Sequence, residues 1–495
     1  MVRGREAPSP WQAFAVLAIA VFLGILDLFI VNIAFPDIRR SFSSASLSSL
    51  SWILSAYAIV FAAVLVPAGK LADIVGRKRV FLAGLLIFLT GSALCAAAPS
   101  VEFLVGARVL QAVGAAGLTP TSLGLILPLF PADKHATVIG LWAAIGGVGA
   151  AAGPPLGGLL VEVSWRWIFL INLPLGLFAV VRSAQIIPEV RDPERGRFPD
   201  MLGSALLIAA IGSLTLGLVK GPEWSWDGRS LLAFAAAAAL LVAFTLRSAR
   251  HPAPVVELPL LRARAFALAA LSTLLFYTAF AVLLLGNVLF LTDVWNYSVL
   301  RAGFAFFPGP LAAAIVAALS GRLGGRLGSA RVGAPGGAVF ALASLWFLTR
   351  LGEQPHYLTE YLPGQLLAGV GVGLMLPAFT TLAASTLPPA RLATGMGVQT
   401  TFRQIGAALG LASFVAIAGS STLASKSDYD GSWLFMAAAS AAAAHVLIPL
   451  LRHHSEPPAD AAATIAAAPA PVAAGAPVEA QAPRERSAQR GSTTE

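Results

Sequence analysis

The chain is a succession of long apolar runs separated by short segments that hold most of the charge. A bilayer core of roughly 30 Å is crossed by about 20 helical residues. On that ruler the sequence predicts fourteen membrane-spanning helices, over residues 12–34, 48–68, 80–98, 102–126, 137–160, 168–187, 201–219, 231–247, 266–290, 303–321, 332–350, 361–385, 394–418 and 433–451. The first run, from Trp11 to Ala34, is too long for a signal-peptide core and lacks a convincing cleavage site, so it reads as a retained span. From His453 the chain changes to Pro-, Ala- and Glu-rich low complexity (APAPVAAGAPVEAQAP). That stretch has too little apolar surface to fold and is expected to be a disordered cytoplasmic tail.

An even number of spans puts both termini on one side. Distributing the 33 Lys and Arg over alternating loops places 23 with the termini, 8 opposite and 2 within spans. Setting aside three in the tail leaves 20 against 8. Basic residues concentrate on the cytoplasmic side of membrane proteins, so both termini are expected in the cytoplasm. Composition agrees: 57% of the 495 residues are hydrophobic, 12% are charged, and mean hydropathy is +0.79. A soluble domain carries about twice that share of charge. The formal charge of +9 is scattered between apolar runs, which argues for topology and against nucleic acid. The single cysteine, Cys95, leaves no intramolecular disulfide. Of the six histidines only His445 falls within a predicted span, and no HExxH, GxSxG or Walker-type string occurs. Neither an enzyme nor direct ATP coupling is expected, nor a metal or organic cofactor. No pore filter is visible.

The loop after the second span, Gly69-Lys70-Leu71-Ala72-Asp73-Ile74-Val75-Gly76-Arg77-Lys78-Arg79, has an echo after the tenth, Gly321-Arg322-Leu323-Gly324-Gly325-Arg326-Leu327-Gly328-Ser329-Ala330-Arg331. The two share Gly, Leu, Gly and Arg at identical spacing. Two six-span halves with two helices between them would place the segments so, and parallel repeats of this kind build transporters that rock around a central site. The expected organisation is an all-α transmembrane bundle with an N-terminal six-helix bundle (1–190), two linker transmembrane helices with cytoplasmic loops (191–264), a C-terminal six-helix bundle (265–452) and the tail (453–495).

Several segments in order strengthen this reading. Leu26-Asp27-Leu28-Phe29-Ile30-Val31-Asn32-Ile33-Ala34-Phe35-Pro36 lies in the first span, Trp52 to Tyr57 (WILSAY) opens the second, and GKLADIVGRKRV follows it. Arg108, Gln111 and Gly114 mark the fourth. Gly149-Ala150-Ala151-Ala152-Gly153-Pro154-Pro155-Leu156-Gly157-Gly158 fills the fifth, and Trp165-Arg166-Trp167-Ile168-Phe169-Leu170-Ile171-Asn172-Leu173-Pro174-Leu175-Gly176 opens the sixth. YSVLRAGFAFFP (297–308) and FRQIGAALG (402–410) follow in the second half. Together they resemble the major facilitator superfamily, specifically its fourteen-span drug:proton antiporter family, over about residues 11–451. The chain departs from that family at Phe29 (usually Thr), Ile74 (commonly basic), Ala112 (Gly) and Gly325, where the second loop has no acid.

The resemblance implies the major facilitator fold and a proton-coupled antiporter. It would export lipophilic small molecules, drugs or antibiotics, across a bacterial plasma membrane by alternating access. Protons would be the coupling ion, the bilayer and the substrate its partners, and a monomer its state. A dedicated exporter of one endogenous antibiotic, siderophore or amino acid is the alternative, then a proton symporter. The Ala-rich, Lys-poor composition suits a GC-rich bacterial genome.

Asp27 is the only acid well inside a predicted span, where an unpaired carboxylate costs several kcal/mol. A carboxyl that alternates between an apolar setting and a cationic partner takes up and releases a proton; the other reading is a structural acid bonded to a neighbouring helix. Arg108 lies about seven residues, roughly 10 Å, from the outer end of the fourth span, level with Asp27. The resemblance assigns this Arg to proton transfer, and a fixed ion pair is the alternative. Asn32, Tyr57, Gln111, Arg403 and Gln404 are candidate cavity residues. For Arg403 and Gln404, near the midplane, substrate contact and structural pairing both remain open. Gly69, Asp73, Gly76, Arg77 and Lys78 form the expected gating loop, with Asp73 pairing with Arg77 and a helix N-terminus opposite. Gly149, Gly153, Pro154, Gly157 and Gly158 form the antiporter motif, whose small residues allow close helix contact. Asp293 reads as a solvated loop charge or as an attractor of cationic substrates.

Overall fold

The computed structural model describes residues 9–131, 134–191, 198–385, 387, 392–418 and 423–451, so the tail expected from His453 lies outside the described residues. Fourteen helices among them are long and apolar enough to cross a membrane. They are α1 Pro10–Ser41, α2 Leu47–Val75, α3 Arg77–Ala96, α4 Val101–Leu129, α5 Thr137–Val161, α6 Trp167–Ile186 and α7 Met201–Lys220, followed by α8 Gly228–Arg250, α9 Arg264–Val294, α10 Val299–Ser320, α11 Ser329–Arg350, α12 Tyr357–Ser385, α13 Gly395–Ala418 and α14 Ser427–Leu450. Each predicted span has its helix. The face carrying Ser9 and Leu451 is called here the terminus face, and the other the distal face.

Polar residues at the breaks start the helices. The side chains of Ser9, Ser46, Ser100, Asp200 and Ser298 accept from backbone N–H groups of the first turns of α1, α2, α4, α7 and α10, each such cap contributing about 1 kcal/mol. Several helices outrun their predicted spans. The polar turns Asp37–Ser41 and Lys70–Val75 stay helical past the apolar stretch that hydropathy measures, the first with an Arg40–Asp37 ion pair of 2.8 Å.

Packing repeats between the halves. In the first, α3 lies on α4, α2 on α4, α1 on α5 and α6, and α3 on α6; in the second, α11 lies on α12, α10 on α12, α9 on α13 and α14, and α11 on α14. The halves meet through α1 on α9, α2 on α13 and α5 on α10, a set that exchange of the two halves maps onto itself. The sequence echo has a structural counterpart. Gly76 ends α2 at φ 123°, ψ 131°, and Gly328 ends the tenth-span helix Pro308–Leu327 at φ 91°, ψ 136°. Backbone there is open almost only to glycine, and it turns the chain directly into α3 and α11.

The extra pair, α7 and α8, forms a hairpin whose first helix packs on α2 and α13. At the terminus face the buried Asp200 caps α7 and accepts from Arg247 Nε of α8 at 2.7 Å. At the distal face Ser48 donates to Glu223, and Lys220 donates to Ser48 Oγ at 3.0 Å and to Glu223 at 2.8 Å. Burial would raise the Glu223 carboxyl, but the bonds from Lys220 and Ser48 outweigh it and hold the group below the usual range. α8 shows Leu231, Leu232, Val242 and Leu246 on its outside, as a lipid-facing helix does.

Gly328 has open space where a Cβ would stand, whereas a Cβ on Gly76 would meet the Glu189 carboxylate at 2.6 Å. Gly328→Ala is therefore expected to lower stability by the backbone cost alone, about 1–3 kcal/mol, and Gly76→Ala by more. Thermal unfolding of the purified variants in one detergent checks the order; equal, wild-type melting of both would remove the claim.

Candidate functional site

The most deeply buried charges form one cluster inside the first half. Asp27 is 0% exposed and Arg108 1%. Arg108 Nη1 donates to Asp27 Oδ2 at 2.5 Å and to Gln111 Oε1 at 2.6 Å, and its Nε donates to the Ile53 carbonyl at 3.2 Å. Gln111 Nε2 donates to Asp27 Oδ1 at 2.8 Å and to Ser92 Oγ at 2.7 Å, and Asn172 Nδ2 reaches the same hydroxyl at 3.0 Å. The Tyr57 ring lies under the guanidinium, 4.0 Å from centroid to Cζ. Five helices, α1, α2, α3, α4 and α6, thus meet at one ion pair.

Local sequence explains the geometry. Arg108 and Gln111 lie three residues apart on α4 and so share a face. Gly91 lets α3 sit against Gln111, since a Cβ there would lie 2.7 Å from the Gln111 backbone. Removing two charges from water costs several kcal/mol each, and only a short, multiply bonded pair offsets that. The carboxylate accepts on both oxygens, and the guanidinium has a carboxylate, an amide and a backbone carbonyl.

Of the candidate cavity residues, Tyr57 and Gln111 belong to this cluster. Asn32 is buried one turn from Leu28, donating to its carbonyl at 2.7 Å. Arg403 and Gln404 lie elsewhere, on α13 of the second half. Arg403 is half-buried, with Cζ 5.6 Å from the Tyr277 ring centroid. Tyr277 meets Phe280 edge-on at 5.8 Å, and Phe280 meets Phe29 of α1 at 6.3 Å across the seam. Ser92 and Asn172 were not singled out from the sequence; the available signal was a polar side chain within an apolar run.

The glycine string of α5 has two faces. A Cβ on Gly149, Gly153 or Gly157 would meet Phe22 O at 3.1 Å, Phe29 Cβ at 2.6 Å or Ile30 Cγ1 at 3.0 Å, all on α1 beside Asp27. A Cβ on Gly158 would meet Leu300 Cα of α10 at 2.8 Å, and Gly303 of α10 lies against the Pro154 carbonyl. The string therefore allows close approach to α1 and to the other half together. Nearby, on the distal face, Arg39 of α1 donates to Asp293 at 2.6 Å. Asp293, only 11% exposed, sits on the π-helical turn Phe290–Val294 and is a bridge between halves instead of a solvated loop charge.

On the terminus face Arg77 Nε donates to Asp73 at 3.0 Å and its Nη1 to the Gly124 carbonyl of α4 at 3.0 Å. The Lys78 N–H donates to Glu189 at 3.0 Å and its Nζ to the Ala184 carbonyl at 2.8 Å. Gly69 packs on Pro120, with 3.4 Å from its would-be Cβ. Asp73 pairs with Arg77, but among the described residues it accepts from no helix N-terminus opposite; Arg77 instead binds the Gly124 carbonyl near the end of α4, where a cation is favoured. No group of metal-binding side chains occurs among the described residues.

The sequence profile of the Major Facilitator Superfamily matches residues 17–411 and 272–484. A relative described as a probable actinorhodin transporter, from Streptomyces coelicolor, is 34% identical over 84% of this chain and 75% of its own length. The multidrug resistance protein Stp of Mycobacterium tuberculosis is 35% identical over 80% and 73%. The tetracenomycin C resistance and export protein of Streptomyces glaucescens is 34% identical over 83% and 76%. In fold, the chain is similar to an autoinhibited POT-family peptide transporter (TM-score 0.67, 19% identity, 90% of this chain and 97% of the other). It is also similar to a bacterial homologue of the lysosomal transporter Spinster, solved inward-facing and unoccupied (TM-score 0.62, 18% identity, 90% and 98%).

Leaving one member of a buried pair without its partner costs about 3–5 kcal/mol. Arg108→Gln and Asp27→Asn are each expected to lose that much stability, while the double variant Asp27→Asn/Arg108→Gln recovers most of it. A double-mutant cycle in detergent reads the coupling; strictly additive losses would show that the two side chains do not act as a pair.

Proposed function

Because the chain belongs to the major facilitator superfamily, we propose that it exports lipophilic small molecules, antibiotics among them, in exchange for protons. The observation that carries this reading is the Asp27–Arg108 pair, a titratable carboxylate with no solvent exposure at the meeting point of five helices. With the carboxylate charged, Coulomb attraction in low dielectric ties α1 to α4. A proton on Asp27 removes that attraction while leaving Arg108 its bonds to Gln111 and the Ile53 carbonyl. α1 is then freer to move against the glycine face of α5, and it carries Phe29, in ring contact with Phe280 of the other half. Protonation and the inter-half seam thus act on one helix.

The pairs Arg39–Asp293 and Gly158–Leu300 join the halves at the distal face. Breaking and remaking such contacts is what alternating access requires. With the terminus face in the cytoplasm, the orientation that the excess of basic residues supports, the cycle takes substrate there and releases it distally. The names of two relatives refer to single antibiotics, which also favours a dedicated exporter of one compound; the name of a third refers to multiple drugs.

Asp27→Asn is expected to abolish efflux driven by a pH gradient in everted vesicles at matched protein content. Full gradient-driven transport by this variant would remove Asp27 from the mechanism. Asp73→Asn breaks the Arg77 pair and is expected to slow turnover several-fold, on the order of the loss of an exposed or half-buried ion pair, with substrate affinity unchanged. A selective loss of affinity in equilibrium binding would contradict a gating role for that loop.

A further inference from the structure

Three charged side chains among the described residues lie deep within spans: Asp27, Arg108 and Arg403. The first two neutralise each other inside the first half. Arg403 does not share in that balance. Among the described residues it forms no ion pair, and its partner is Tyr277, whose ring face and hydroxyl it meets without gaining a countercharge. Its neighbour Gln404 is 4% exposed, and its side chain makes no hydrogen bond among the described residues. Among the described residues the membrane interior therefore carries one uncompensated positive charge, and it lies beside the aromatic seam of Tyr277, Phe280 and Phe29 between the halves.

A midplane guanidinium without a counterion is costly unless something else supplies the negative charge. A purely structural arginine has its remedy in the same fold, as Arg108 shows: a carboxylate at 2.5 Å and further acceptors around it. Arg403 has a planar five-donor fork suited to a carboxylate, sulfonate or ionised enol, half-exposed, next to rings that suit a flat apolar body. Asp27, the one interior acid among the described residues, is already engaged and offers no countercharge to a cationic compound.

Resting on the export reading above, we propose that the preferred substrates are lipophilic organic anions, planar aromatic molecules whose acidic group is held by Arg403 and Gln404. The positive charge selects for the anion, and the inter-half rings hold the body.

The test uses two probes of one skeleton, 8-anilinonaphthalene-1-sulfonate and the uncharged N-phenyl-1-naphthylamine, with the cation ethidium as third, in proteoliposomes of the full chain under a pH gradient. Wild type is expected to move the sulfonate in preference to the other two. Arg403→Gln is expected to lose sulfonate transport by about tenfold or more while keeping that of the neutral amine, which also shows that the variant is folded. Arg403→Lys is expected to retain part of it. Preference of the wild type for ethidium, unchanged sulfonate transport by Arg403→Gln, or equal loss of both naphthalene probes would overturn the proposal. If wild type moves none of the three, the export reading fails on these probes and equilibrium binding decides the anion site alone. Weaker sulfonate binding by Arg403→Gln than by wild type in the same detergent supports it, and equal binding overturns it.

Discussion

A charge inside a membrane protein cannot be hydrated, so it must be matched by the fold itself, and the Asp27–Arg108 pair is where this chain meets that requirement most completely. Both oxygens of the carboxylate are engaged, by Arg108 and Gln111, and the guanidinium meets Asp27, Gln111, the Ile53 carbonyl and the Tyr57 ring. Coulomb interaction is strong there because burial removes screening, and for the same reason the loss of either partner leaves a group with nowhere to turn. The cluster is therefore the junction of α1, α2, α3, α4 and α6, with the charge on Asp27 tying α1 to α4.

The surroundings of the pair tie α1 to α5 and to the second half. α1 faces Arg108 with Asp27, the α5 glycines with Phe22 to Ile33, the second half with Phe29, and the distal bridge with Arg39. Glycine at Gly149, Gly153 and Gly157 brings α5 within van der Waals reach of α1, and Gly158 does the same for α10. Contacts of this kind bring helix backbones together without interlocking bulky side chains. The surface between the halves combines the small residues of α5 with the Phe29–Phe280 ring contact and a bond from the Thr401 hydroxyl to the Ala62 carbonyl at 3.1 Å. That surface suits two rigid bundles that move against each other, and the matching helix pairings within the halves show how each bundle holds itself together.

The fold was legible along the chain because lipid imposes a length and a polarity on every span. Fourteen apolar runs became fourteen helices, and the Gly76 and Gly328 echo became two identical turns, since both depend only on local chemistry. Asp27, Arg108 and Gln111 were legible as candidates for the same reason: a polar side chain in an apolar run needs an explanation. Their partners were not. Ser92, Asn172 and the Ile53 carbonyl lie on three other helices, and nothing in their own neighbourhoods reports the pairing. Tyr57 and Gln111 fell into the ion-pair cluster and Arg403 into the seam, a separation that rotation of each helix about its axis decides. Sequence alone determined the spans, the repeat and which residues are costly in lipid, because hydropathy and turn geometry are properties of a single segment. Which of those residues neutralise each other, and which is left with its charge uncompensated, was decided only when α1, α4, α9 and α13 packed, because an ion pair depends on distances between segments far apart in the chain.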